Sequence, residues 1–227
     1  MADDNRPLKP AWPAGRYMRY AIGEIVLVVI GILIALQINT WNENRKHHNA
    51  EKVFLSGIKS DLLKDKEFIY YVLDYIQPKI EAYRILKKVE QQDYSTNKIQ
   101  IDSLLSIYIF SGQRTFYPVS GSFQAAVAGN EINTYKRQEV TQKIIKLYSS
   151  TYGRVVDNGE ILDIRWSSLS KKYSHERRTK QFSILNTNHI SLVLDDIHFH
   201  YIQLDWYKNI LSNSIIEIDE LLRKLDE

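Results

Sequence analysis

By residue type, two histidine-containing clusters are the best placed in this chain to do chemistry. His175-Glu176-Arg177-Arg178-Thr179 opens like a zinc-protease helix, where imidazoles at i and i+4 share one face and one metal. Thr179 stands where the second imidazole would be, so the ligand pair is missing. His198 and His200 lie near Asp195, Asp196 and Asp205. Two residues apart on a helix, the histidines point to opposite sides. Asp196 and His200 share a face, but two ligands alone do not hold zinc. His47-His48 follows an apolar stretch and suits an interface better than catalysis. There is no glycine-rich phosphate loop, no G-x-S-x-G elbow and no cysteine. No catalytic residue, metal ligand or cofactor is therefore assigned, and the expectation is a protein without enzymatic activity of its own.

Charged groups outside those clusters have two readings each. Lys171, Lys172, Arg177, Arg178 and Lys180, with His175 among them, form a basic run that is either a solvated loop or a patch for anions and lipid headgroups. Glu24 sits in the first turn of the apolar stretch Tyr20 to Trp41. It either reaches the headgroups or contacts a partner inside the membrane.

That stretch decides where the protein works. Ile25 to Asn42 carries no charge, and Ala21 to Trp41 as an α-helix rises about 31 Å, close to the thickness of the hydrocarbon layer. Tyr17 and Tyr20 at one end and Trp41 at the other suit the two interfaces. A cleaved signal peptide would need a small-x-small site, and the stretch leaves through Leu36-Gln37-Ile38-Asn39 instead. Gly23, Leu27, Gly31 and Ala35 recur every four residues, and Gly31-xxx-Ala35 has the spacing that lets two helix backbones approach. Lysines and arginines balance on the two flanks, so orientation rests on the short N-terminal tail, which favours a cytoplasmic N-terminus.

The expected organisation is a tail over 1–16, a transmembrane helix over 17–42 and a soluble domain over 43–227. A net charge of +3 is too mild to imply a nucleic-acid partner. Nine glycines and five prolines interrupt the chain little. Leu55, Ile58, Leu62, Ile69, Val72, Ile76, Ile80, Tyr83 and Leu86 mark one face of a first helix, which Pro78 should kink or divide. Val140, Ile144, Leu147, Thr151, Val155, Leu162, Trp166 and Leu169 mark a second. Ile197, Tyr201, Leu204, Leu211, Ile215, Ile218, Leu222 and Leu225 mark a third, in heptad register apart from Lys208. Two short helices, Ser95 to Ile109 and Ser120 to Ala128, fall between the first two, the latter stopping at a left-handed Gly129-Asn130. Lys171 to Asn188 reads as a loop. The fold class is all-α: one N-terminal transmembrane helix continuing into an elongated antiparallel helical bundle.

The string YAIGEIVLVVIGILIALQINTWNENRK closely resembles the opening of a family of single-pass membrane proteins of unknown function, abundant in Bacteroidota. SGSFQAAVAGNEINTYKRQEVTQKIIKLY is similar to that family's stretch in which a short helix ends in Gly before an Ile-Asn pair. The resemblance implies a bacterial inner-membrane protein with a helical outer domain, and carries over no catalytic or binding residues. Its tail differs, with KPAWPAGR in place of a more basic, Phe-rich one. Because the recognisable stretch includes Glu24 and its glycines, it favours a contact within the membrane through Gly23, Glu24, Leu27, Gly31 and Ala35. Two functions follow as expectations. One is a structural or assembly component of the bacterial inner membrane that meets a second copy, or another membrane protein, through that helix. The other is a periplasmic ligand- or envelope-sensing bundle that signals through a separate partner.

Overall fold

The computed structural model describes residues 14–179, 181–182 and 190–227. The chain divides into two compact units, Met1–Asn49 and Ala50–Glu227. All regular structure among the described residues is helical.

Helix α1, Ala14–Leu86, contributes to both units. Within the first unit every described side chain from Met18 to Trp41 is exposed. Such a surface of Ile, Leu and Val is stable only against an apolar medium. By length and composition this helix can cross a membrane, and it is the one that can among the described residues. Arg45 stacks its guanidinium over the exposed Trp41 ring at 5.2 Å, a cation–π contact.

The second unit is an up-down-up-down bundle whose second leg is broken. After α1, the short α2 (Gln91–Thr96) turns the chain into α3 (Lys98–Phe110). An extended segment, 111–120, leads on to α4 (Gly121–Ala128). This leg descends along α1, since Gln113 meets Lys79, Val119 meets Asp65 and Ser122 meets Asp61. α5 (Gln138–Lys146), a π-helical turn (Leu147–Thr151) and α6 (Tyr152–Lys172) then climb in one run. After α7 (Ser174–Thr179), α8 (Ile190–Asp226) descends, with Lys66 on Asp219 and Thr151 on Glu217. Residues 111–120 escape the helix because Gly112 and the Thr115-Phe116-Tyr117 run favour extended backbone, and Pro118 bars Tyr117 from the helical region.

Several details depart from the sequence reading. Pro78 neither divides nor ends α1: it lies on the exposed face, as does Asp74, whose carbonyl loses its helical donor and can turn to water. The left-handed residue after α4 is Asn130, at φ 53°, while Gly129 stays right-handed. Asn97 separates α2 from α3, and Ser95 and Thr96 bond back to the Gln92 carbonyl instead of capping a following helix. α6 runs on to Lys172 and α7 follows, so residues 171–179 are not a loop. Lys180 and residues 183–189 fall outside the described residues, as does the tail over 1–13.

The third stripe is corrected by one residue along half its length. The buried seam of α8 is Ile190, Val193, Ile197, His200, Leu204, Tyr207, Leu211, Ser214, Ile218 and Leu221, alternating by three and four throughout. Tyr201, Ile215 and Leu222 only flank it. Lys208 broke the expected heptad because the seam passes through Tyr207. A search for apolar positions could not find it, since His200 and Ser214 occupy core sites.

Candidate functional site

The core forms two apolar clusters. One gathers Ile58 to Ile80, Leu162, Leu204 and the residues below them; the other gathers Ala82 to Leu86, α3, Leu169 and Val193 to Ile197. At the junction lies a polar layer drawn from four legs: Lys79 on α1, Gln113 and Thr115 on the broken leg, Asp163 and Trp166 on α6, and His200 and Gln203 on α8.

The broken leg explains much of this layer. Leaving the helix strips residues 111–120 of their own hydrogen-bond ladder, the first N–H groups of α4 have no partner within their helix, and buried backbone groups must find other partners. The Tyr207 hydroxyl accepts from the Phe116 N–H at 2.8 Å, Asp65 from Val119 at 2.7 Å and Asp61 from Ser122 at 3.2 Å. Tyr148 donates to the Val119 carbonyl, Trp166 Nε1 to the Ile109 carbonyl, and Thr115 to Asp163 at 2.7 Å. Farther along, Glu51 accepts from the Arg137 N–H. Gly159 makes the approach possible, because a Cβ there would lie 2.5 Å from Thr115 Cγ2 and 3.1 Å from the Tyr207 oxygen. These side chains replace a helix ladder, which is a structural task.

Three groups exceed it. Lys79 is completely buried, with a long 3.5 Å contact to Gln113 and the face of Trp166 5.6 Å away. Burial pulls its pKa down to about 7, against the opposing attraction of Asp163. His200 is 1 % exposed; burial, then the Lys79 and Arg165 charges, pull it down to about 3, so the ring is neutral. Its Nε2 has no hydrogen-bond partner. Asp65, also buried, is pushed up to about 6 chiefly by burial, with the Val119 N–H acting against the shift and Asp61 adding to it. The Tyr152 hydroxyl beside the carboxyl acts in the same sense as the Val119 N–H, opposing the upward shift.

Asp65 gives a test with a definite sign. Its pKa rises from 3.8 to about 6 on folding, so the native state holds the extra proton between those values. Its contribution therefore grows as pH falls from above 6 towards 4, and is lost as pH rises through 6. Asp65→Asn removes this slope and is expected to be about 1 kcal/mol more stable than the parent at pH 7.5, with no advantage at pH 4. Urea melts at the two pH values measure it.

The residues singled out by sequence are placed as follows. Gly23, Glu24, Leu27, Gly31 and Ala35 are all exposed on α1, and a Cβ built on Gly23 or Gly31 meets nothing within 4 Å. At about 100° per residue, Glu24, Gly31 and Ala35 fall within an arc of about 40°, with Leu27 and Gly23 progressively further round. The basic run is partly consumed internally. Lys172 pairs with Asp196 at 2.5 Å, Arg177 reaches Ser170 and Arg178 reaches His175. Asp196 and His200 do not converge: Asp196 accepts from Lys172 and Tyr173, while His200 Nδ1 faces Tyr108. Lys79, Asp65 and Asp163 were missed from sequence. The available signal was a lysine and two aspartates on positions in phase with apolar stripes.

A family of unknown function, DUF6090, matches residues 24–199. The chain belongs to this family. The DUF6090 match starts at Glu24 within the apolar part of α1, takes in the broken leg, and ends at Phe199 on α8, one residue before His200. No curated protein and no solved structure matches the chain.

Proposed function

We propose that the protein is a membrane-anchored helical-bundle component that acts by association, without catalytic activity of its own. It is placed in a bacterial inner membrane, with the N-terminus in the cytoplasm and residues 50–227 in the periplasm. The observation that carries the reading is on α1: Glu24, Gly31 and Ala35 share one narrow face of a helix exposed from Met18 to Trp41. Small residues let a second helix come close, and a carboxylate in an apolar medium is stabilised by a partner's hydrogen-bond donor. The occupant of that face is a second copy of the chain or another membrane protein. The polar layer supports the reading from the other side, because Lys79 and His200 are buried away from solvent and the Asp163 carboxylate is engaged by Thr115.

The experiment is cross-linking and native electrophoresis of the full chain extracted in mild detergent. The parent is expected to give a discrete assembly. Glu24→Gln is expected to weaken it by about five-fold, and Gly31→Leu by about ten-fold or more. A parent that is monomeric and partner-free would end the proposal. Protease treatment of spheroplasts tests the orientation separately, with residues 50–227 expected to be cut from outside.

A further inference from the structure

The extended segment 111–120 runs down the bundle as a strap, and α1 holds its far end and the first turn of α4 through two carboxylates. Asp65 accepts from the Val119 N–H at 2.7 Å, and Asp61, one turn earlier, from the Ser122 N–H at 3.2 Å. Both side chains are buried, and among the described residues no cation bonds either one. The approach is close, since a Cβ on Gly57, a further turn back, would lie 2.5 Å from Ser122 Oγ. Tyr148, on the π-helical turn, donates to the Val119 carbonyl from the other side and stacks on Phe123 at 4.7 Å. The end of the strap is thus pinned between α1 and the α5–α6 run, with acid groups and no base at the pin.

A carboxylate desolvated in this way is costly to ionise, and a second one at i−4 adds repulsion. The other groups facing the pair do not neutralise it. Burial raises the Tyr148 and Tyr152 phenols, which remain protonated, and the Val119 N–H and Tyr152 hydroxyl only ease the charge on Asp65. α4 carries no charge; on α8, Glu217 is engaged by Thr151, and Asp219 takes up Lys66. We infer that the strap is acid-tightened: its far end opens more readily while both carboxylates are ionised, and one proton on the pair closes it. That proton occupies the Asp65 oxygen not used by Val119, so the charge goes and the hydrogen bond stays. Opening returns Asp65 to water and unstacks Phe123 from Tyr148. Burial, above all, holds the Asp65 pKa at about 6 with the strap seated, against 3.8 in water. The grip is therefore complete below 3.8 and lost as pH rises through about 6. Lys79, at the other end of the strap, titrates from about 7 upwards, above this range. The strap lies within residues 50–227, so the inference stands whether or not α1 mediates association.

The test is amide hydrogen exchange of the full chain in lipid nanodiscs at pH 5 and pH 7, each rate corrected for its intrinsic pH dependence. At pH 7, Val119 and Ser122 are expected to exchange at least about ten-fold faster than Ile69 and Val72 in the α1 seam, with little dependence on dilute urea, as a local opening does. At pH 5 their corrected rates fall about ten-fold. Asp65→Asn abolishes that fall and keeps exchange slow at both pH values, while Asp219→Asn, at the carboxylate paired with Lys66, leaves the fall intact. If Asp65→Asn does not fold, the carbon-13 shift of the Asp65 carboxyl in the parent replaces it. A midpoint of about 6 is then expected, and one below about 5 overturns the inference. Exchange of Val119 and Ser122 in step with the seam, equal corrected rates at the two pH values, or an unchanged response in Asp65→Asn overturns it as well.

Discussion

Replacing Lys79 with methionine is expected to stabilise the bundle by about 2 kcal/mol at pH 7, with the advantage shrinking as pH rises. The ammonium is fully buried, and its one described hydrogen bond, to Gln113, is at the limit of length. Folding lowers its pKa from 10.5 to about 7, so between these values the unfolded chain binds the extra proton. Stability conferred at Lys79 therefore rises with pH through that window and is at its floor below 7. A methionine of similar length fills the same space without the desolvated charge, although it forfeits the attraction to Asp163. Parent and variant should converge by about 2 kcal/mol between pH 7 and 9 in paired thermal or urea melts. A variant less stable than the parent at pH 7 would mean that the ammonium is better satisfied than its contacts allow, by Asp163 above all.

Tyr207→Phe is expected to cost about 2 kcal/mol while leaving volume almost unchanged. The lost oxygen is the acceptor for the Phe116 N–H, and both residues are entirely buried. A buried donor left without a partner costs more than an average hydrogen bond is worth, because its desolvation is no longer offset. The effect should be local before it is global, with amide exchange at Phe116 and Val119 accelerating ahead of exchange in α8. Equal exchange rates in parent and variant, with a loss below about 0.5 kcal/mol, would show that the broken leg does not depend on this contact.

The fold was readable wherever apolar residues carried the burial. Ile58, Leu62, Ile69, Val72, Ile76 and Ile80 are buried where their spacing put them, and the all-α class follows from such stripes. Reading failed where polar residues did the core's work. His200, Lys79 and Asp65 are buried by the groups they meet, and their partners lie 30 or more residues away in sequence, at Tyr108, Gln113 and Val119, while Ser214 only bonds back to the Ile210 carbonyl of its own helix. Residues 171–179 offered no apolar period and so looked like loop, yet Tyr173 and Glu176 are buried. The polar layer was only partly legible. Asp196 and His200 were recognised as co-facial, but only as a rejected metal pair, because nothing local reveals that Tyr108 holds the imidazole or that Arg165 stands beside it.

The π-helical turn over Leu147–Thr151 has a consequence for chain length. Up to its first residue, Val140, Ile144 and Leu147 are buried; after it, Tyr152, Val155, Gly159 and Leu162 are, while Thr151 is only half-buried. The turn holds one residue more than regular winding requires, and this surplus rotates α6 about its own axis relative to α5. It is a phase adjuster set between two keyed shafts. Deleting either Ser149 or Ser150 would leave an unbroken and better-wound helix, yet would turn Gly159 away from Thr115 and carry Asp163 out of reach of the broken leg. Here residue count, independent of residue identity, is part of what specifies the fold.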